Sequence, residues 1–291
     1  MFDFDRRLEI WQTLSRHKLR TTLTAFCVSW GIFMLIVMLG VGKGVERGVM
    51  SMYGNVSTNS VWVHGGKTLM PFRGLLPGRE IKLDLEDIAL LAKLQGVDLV
   101  APMKMLSGNY TMLYERKSGS FPIYGINADF GRIEKLSLIK GRQLNELDNM
   151  EARKVTVIGA RIAEVLFGEK INPLGETILV GGVPFTVIGV YKKALGEQQP
   201  SRFFIPLKTL QSAFDPDLKL TQIVLTVAKG YTWLSIKPEA AKLLARRHAF
   251  DVRDSAVFEG YDISDEVGKL QSLLDGIGWF VWGHCWRGVS G

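Results

Sequence analysis

From Thr21 to Gly42 the chain runs for 22 residues without a charged side chain, and Phe33 to Leu39 within it offers water no polar face. At about 1.5 Å per helical residue the run reaches roughly 33 Å, enough to cross a hydrocarbon core of about 30 Å. It reads as a membrane-spanning helix over 21–42. A cleaved signal would carry a shorter apolar run of about 7–15 residues and a small-residue cleavage site, whereas Val41-Gly42-Lys43-Gly44-Val45-Glu46 follows here. Arg6, Arg7, Arg16, Lys18 and Arg20 precede the run, and only Lys43 and Arg47 follow it closely. The positive-inside bias then places the N-terminus in the cytoplasm and the bulk of the chain on the other side. Before the run, Phe4, Leu8, Trp11, Leu14 and Leu19 share one side of a helix and Arg7, Arg16 and Lys18 another. Residues 1–20 therefore read as a basic amphipathic helix lying against membrane lipid.

Past the run the period changes. Gly40, Gly42, Gly44 and Gly48 punctuate the exit, and Asn59–Val63 reads as a first strand. A loop over Pro71, Gly74, Pro77 and Gly78 leads to Asp84, an N-cap for a helix Leu85–Leu94 with Leu85, Ile88, Leu91 and Ala92 on one face. Tyr110–Tyr114 and Ser120–Tyr124 read as a hairpin over residues 115–119. Val155–Ile158 reads as a strand and Ala160–Phe167 as a helix. Thr177–Val180 and Val183–Tyr191 flank Gly181-Gly182, a turn that accepts positive φ. Strand Arg202–Ile205, helix Leu207–Phe214, strand Gln222–Val227 and helix Pro238–His248 follow. Strands and helices without a strict alternating rhythm predict an α+β, two-lobed mixed domain over 43–270. A further helix from Asp262 leads into Ile277–Trp282, after which His284 and Arg287 break the apolar run. Residues 271–291 thus read as the start of an incomplete second membrane segment with an aberrant tail.

The chemistry is sparse. A net charge of +7, from 36 Lys and Arg against 29 Asp and Glu, is spread over a mixed surface, and no clustered basic stripe calls for nucleic acid. The cysteines are Cys27, in the apolar run, and Cys285, so the domain between them has no disulfide framework and no cysteine metal site. His64 and His248 are isolated and suit surface or capping roles. Gly65-Gly66-Lys67-Thr68 ends like a phosphate-binding loop, but Val61 stands where the first glycine belongs and no helix follows. Gly40, Gly42 and Gly44 lack the spacing of a dinucleotide fingerprint. Glu86/Asp87 and Asp265/Glu266 lie in helix first turns, where the helix dipole accounts for them. No nucleophile elbow is present. No catalytic, cofactor-binding or metal-ligating residue is assigned, and no enzyme activity or cofactor is expected of the chain itself.

Several short stretches carry a resemblance in order: Glu9–Leu14 with Lys18–Thr21, then Leu138-Ile139-Lys140-Gly141-Arg142, Val155–Gly159, Leu166-Phe167-Gly168, Asn172-Pro173-Leu174-Gly175 and Phe185–Val190. Together they resemble the MacB-like permeases of ABC transporters, with their periplasmic core domain. The resemblance implies a bacterial inner-membrane permease that has four spans, with its large periplasmic domain between the first two. It implies a permease dimer, a cytoplasmic ABC ATPase subunit that hydrolyses ATP, and a periplasmic adaptor in macrolide exporters. The function implied is transmission of ATP-driven motion to the periplasmic domain for export or efflux. The rival readings are a single-span ligand sensor, disfavoured by a cytoplasmic part of only about 20 residues where a domain needs about 50, and an anchored hydrolase, disfavoured by the missing nucleophile. A reporter fused after Gly65 is expected on the periplasmic side and one fused before Arg16 in the cytoplasm. Activity of both fusions on one side would refute the anchor.

Overall fold

The computed structural model describes residues 18–53, 59–193, 200–262 and 272. The amphipathic helix expected over 1–20 falls outside these residues as far as His17, and so do nearly all of the helix expected from Asp262 and the tail 273–291.

Helix α1 is Lys18–Tyr53, 36 residues long. Its stretch Leu19–Met38 has a mean hydropathy of 1.9 and is not buried within the protein. The glycines read as punctuating the exit do not end it. Ladder hydrogen bonding continues through them although each glycine costs a helix about 1 kcal/mol. The chain divides into two compact units, Met1–Met50 with Gly268–Gly291, and Ser51–Val267.

The second unit is built on one mixed sheet. Its strands are β1 Ser60–Gly65, β2 Val97–Met105, β3 Thr111–Tyr114, β4 Lys117–Ser120, β5 Ile123–Ile126, β6 Ser137–Gly141, β7 Val155–Gly159, β8 Thr177–Val180, β9 Val183–Lys193, β10 Phe203–Pro206, β11 Gln222–Val227 and β12 Phe258–Asp262. The spatial order is β12-β1-β11-β2-β5-β10-β7-β9-β8-β3-β4, with β6 beside β9. Pairs β5/β10 and β7/β9 are parallel. The helices are α2 Leu85–Leu91, α3 Ala128–Glu134, α4 Glu146–Met150, α5 Ala160–Leu166, α6 Leu207–Ala213 and α7 Trp233–His248. The α+β expectation holds, and the strands form one mixed sheet within one compact unit.

Both faces of this sheet are covered. Side chains alternate along a strand, so Phe203, Ile158, Ile223 and Leu225 enter one apolar cluster with Phe185, Leu210, Trp233 and Leu244. Phe204, Val157 and Val224 enter a second with Phe130, Ile133 and Tyr191. Strands covered on both sides read as continuous apolar runs, which is why Phe203-Phe204-Ile205-Pro206 is wholly buried.

The hairpin before β5 differs from the expectation. Its turn is Glu115-Arg116, with Glu115 at φ +50°, and Ile123–Ile126 leaves it to pair with β2 and β10. Pro122 has no N–H to continue the ladder. Helix α7 starts five residues before the expected Pro238, because Thr232 caps it through the N–H of Ser235. Strand β2 was not legible: Pro102 and Lys104 interrupt its apolar pattern.

Gly65 and Gly66 lie where strands cross closely. A Cβ at Gly65 would collide with the Ile81 carbonyl oxygen, and one at Gly66 with that of Ala256. The isolated segment Ser51–Val267 is expected to melt cooperatively, unaffected by reductant or chelator. In it, Gly65→Ala is expected to lower stability by more than about 3 kcal/mol, whereas Gly74→Ala, at φ +82° in open space, costs about 1 kcal/mol. Urea midpoints of the three proteins check this, and equal midpoints for the two variants would refute the crowding argument.

Candidate functional site

The densest polar cluster joins the start of α2 to the end of α7. Asp84 caps α2, accepting from the Glu86 N–H, while Asp87 accepts from the Asp84 N–H. Helix α7 ends in Arg246-Arg247-His248 before Ala249 at φ +51°. The Arg247 guanidinium donates to Asp84 Oδ1 and Oδ2 at 2.6 and 3.0 Å, to Asp87 Oδ1 at 2.6 Å and to Glu86 Oε2 at 2.6 Å. His248 Nε2 lies 2.9 Å from Asp87 Oδ1. Arg79 donates to the carbonyls of His248 and Ala249 at 3.2 and 2.6 Å, a cation at a helix C-terminus. The acids of α2 thus do more than compensate a dipole, and His248 is a half-buried partner of Asp87 instead of a surface group.

The second cluster explains the Leu-x-x-Gly-Arg stretch. Gly141 has φ +77°, and a Cβ there would collide with the Ile188 carbonyl. The next residue, Arg142, donates to both oxygens of the fully buried Asp148 at 2.5 and 3.0 Å. Asp148 also accepts from the Asn145 N–H, closing a capping box on α4. Opposite, a Cβ on Gly189 would strike the Arg142 carbonyl. Gly159 lies against Pro200 in the same manner, and Gly168 turns the chain at φ +73° after α5. The motif residues serve close backbone crossings and a buried ion pair.

Burial raises the affinity of Asp84, Asp87 and Asp148 for protons, but their bonds outweigh it and hold all three below the ordinary 3.8. Arg247 dominates at Asp84, His248 with the Asp84 N–H at Asp87, and Arg142 at Asp148. These groups hold helices together, and no nucleophile lies among them. Lys67 sits in an extended bridge with Glu80 and Thr68 is buried, so Gly65–Thr68 forms no phosphate cradle. Among the described residues no group of His, Cys, Asp and Glu is placed to hold a metal ion. A shallow groove of about 200 Å³ lies between β6 and α5, with Ile139, Ala163 and Ile171 along it and Lys140, Glu164 and Glu169 at its rim.

An apolar helix long enough to cross a membrane precedes a sheet domain whose polar clusters hold helices and strand crossings together. The chain belongs to the family of the MacB-like periplasmic core domain, which matches residues 21–243, and with it to the MacB-like ABC transporter permeases. It is 30% identical over 192 residues to a pyoverdine export ATP-binding/permease protein of Pseudomonas syringae, an alignment covering 65% of this chain and 28% of that one. It is 26% identical over 261 residues to a macrolide export ATP-binding/permease protein of Aeromonas hydrophila, covering 89% and 39%. The chain therefore spans well under half the length of these relatives. Its fold is that of the periplasmic region of MacB from Actinobacillus actinomycetemcomitans, with TM-score 0.60, 21% identity and coverage of 75% and 95%. It is likewise that of the extracellular domain of the noncanonic ABC-type transporter YknZ from Gram-positive bacteria, with TM-score 0.59, 24% identity and coverage of 70% and 100%. The family and the apolar helix together mark a membrane-anchored protein with an extracytoplasmic domain.

A carboxylate whose folded pKa is depressed contributes stability that is complete above its unfolded value and is lost as pH falls through the folded one. Stability is therefore expected to be flat with respect to these three groups from pH 7 to about 5 and to fall below about pH 4. Arg247→Ala, which strips Asp87 of its guanidinium, is expected to cost about 3 kcal/mol at pH 7, with only part restored by Arg247→Lys. Urea midpoints against pH measure both, and an unchanged midpoint for Arg247→Ala would show that the cluster contributes nothing.

Proposed function

We propose that this chain is the N-terminal part of an ABC transporter permease that carries ATP-driven motion from a cytoplasmic ATPase to a periplasmic domain for export. In this reading residues 1–20 lie on the inner face of the membrane, 21–42 cross it, 43–270 form the periplasmic domain and 271–291 begin a second membrane segment. The partners are an ATPase, fused or separate, a second permease copy and a periplasmic adaptor. The relatives' names, macrolide and pyoverdine exporters, supply the first substrates to assay.

The observation that supports the reading best is α1 itself. An apolar run of Leu19–Met38 spans about 30 Å at 1.5 Å per residue, yet the helix goes on to Tyr53, seven positions before β1 begins at Ser60. The additional turns reach beyond the hydrocarbon as the same rod, and a helix transmits displacement along its axis better than a flexible linker. Val45→Pro would remove one ladder bond and clash with the preceding turn, costing about 3 kcal/mol in a helix interior. In vesicles holding the permease with all its spans and its ATPase, this variant is expected to hydrolyse ATP while export fails. Export that survives the proline would overturn the rigid-link reading.

A further inference from the structure

We propose that the loop Lys67–Gly78 is a preformed docking tip for a partner protein presenting an apolar cleft rimmed by carboxylates. The inference rests on the export reading only for the side of the membrane on which the partner is met.

The loop is held tightly at its base. Asp254, itself buried, accepts the N–H groups of Leu69 and Met70 at 2.7 and 2.9 Å. Thr68 and Arg79 pair across the base, and Gly78 donates to the Thr68 carbonyl at 2.6 Å. At the apex Phe72 and Leu75 exchange both backbone hydrogen bonds, 3.1 and 2.9 Å, around Arg73 and Gly74 at φ +47° and +82°. Two consecutive positive φ values make this a type I′ turn, the twist that suits a tight hairpin.

A loop so fixed would be expected to fold its apolar side chains inward. Instead Leu69 and Leu76 are 71% and 80% exposed, with Met70 and Leu75 about 40%. Residues 67–79 contain Lys67, Arg73 and Arg79 and no acid. Arg79 is engaged by the end of α7 and Lys67 lies opposite Glu80 in an extended bridge, while Arg73, exposed at the apex, lies over the Phe72 ring at 5.2 Å. The N–H groups of Arg73, Gly74 and Leu76 have no acceptor among the described residues. Val61 pairs with Asp262 and Gly65 with Phe258, so the loop springs from the Gly65 end of β1.

Aliphatic groups, the Arg73 cation and exposed N–H donors on a rigid turn define the occupant. A lipid interior would strand the N–H groups and Arg73, each at a cost of several kcal/mol. A second copy meeting apex to apex would set the two Arg73 cations together. A protein cleft with carboxylates at its rim satisfies all three requirements, and the fixed loop loses little entropy on binding.

The test places a photoreactive benzoylphenylalanine at Leu76 in the full chain, in cells, and maps the cross-linked peptide by mass spectrometry. The expected adduct is one protein segment with apolar residues flanked by Asp or Glu, reduced at least tenfold by Arg73→Glu and absent when the probe is moved to Leu234, which is 73% exposed on α7. Arg73 and Leu76 are exposed, and an unchanged melt confirms that the variants fold. A lipid adduct, a self-adduct, an adduct indifferent to Arg73→Glu, or none, overturns the proposal. An adduct that persists in Val45→Pro while export continues would sink the rigid-link reading and leave the docking tip standing.

Discussion

Covering the sheet on both faces is the constraint from which the rest of the domain follows. Neighbouring residues such as Phe203 and Phe204 point into separate clusters, so a central strand such as β10 has no face left over for water. Helices and loops must close over each side, and the connections must pass near the strand ends. There the backbone comes so near its neighbour that only glycine fits, as at Gly65, Gly141, Gly159 and Gly189. The ion pairs are placed by the same demand. Asp87 and Asp148 are buried carboxylates beneath helix starts, and a buried charge is tolerated only when fully bonded. Arg247 and Arg142 supply that bonding with a planar fork that a lysine lacks.

This arrangement explains which parts were legible in the sequence. Strands β8 and β9 about Gly181-Gly182 are set by local turn chemistry, and β7, β11 and α2 by local pattern and capping, so each was readable from its own residues. What could not be read depended on distant partners. Strand β2 carries Pro102 and Lys104, which argue against a central strand, yet Lys104 finds Asp215 at 2.8 Å and Pro102 lies in register with Ile223. Helices α3 and α4 are too short for a periodic signal, and only Asn127 and Asn145 as caps mark them. The stretches that carried the family resemblance were readable as a series but not as physics, because the role of Arg142 depends on Asp148 and on the approach of β9.

The polar clusters were hardest to foresee. Glu86 and Asp87 are adequately explained by a helix N-terminus when only local sequence is considered. Their meeting with Arg247 and His248 joins residues about 160 positions apart, and no periodicity announces such a pairing. The apolar loop 67–78 was legible as a loop from Pro71, Gly74 and Pro77, while its rigidity was not, since Asp254 lies 185 positions from Leu69.

The division of labour in the chain follows from these features. The sheet unit has Asp87 and Asp148 paired at helix starts and Gly65, Gly141, Gly159 and Gly189 set at close crossings, where dense packing resists deformation. The apolar helix, by contrast, reaches past the length a bilayer needs and ends a few residues before β1. On the export reading, motion of that helix is passed to the sheet unit that follows it in the chain. Family membership places that unit outside the cytoplasm, where no ATP is held, so in the export reading chemical work and mechanical response occupy different parts of the assembly. On that reading the side chains of this chain need no catalytic geometry, only stiffness and a surface fit for its partners.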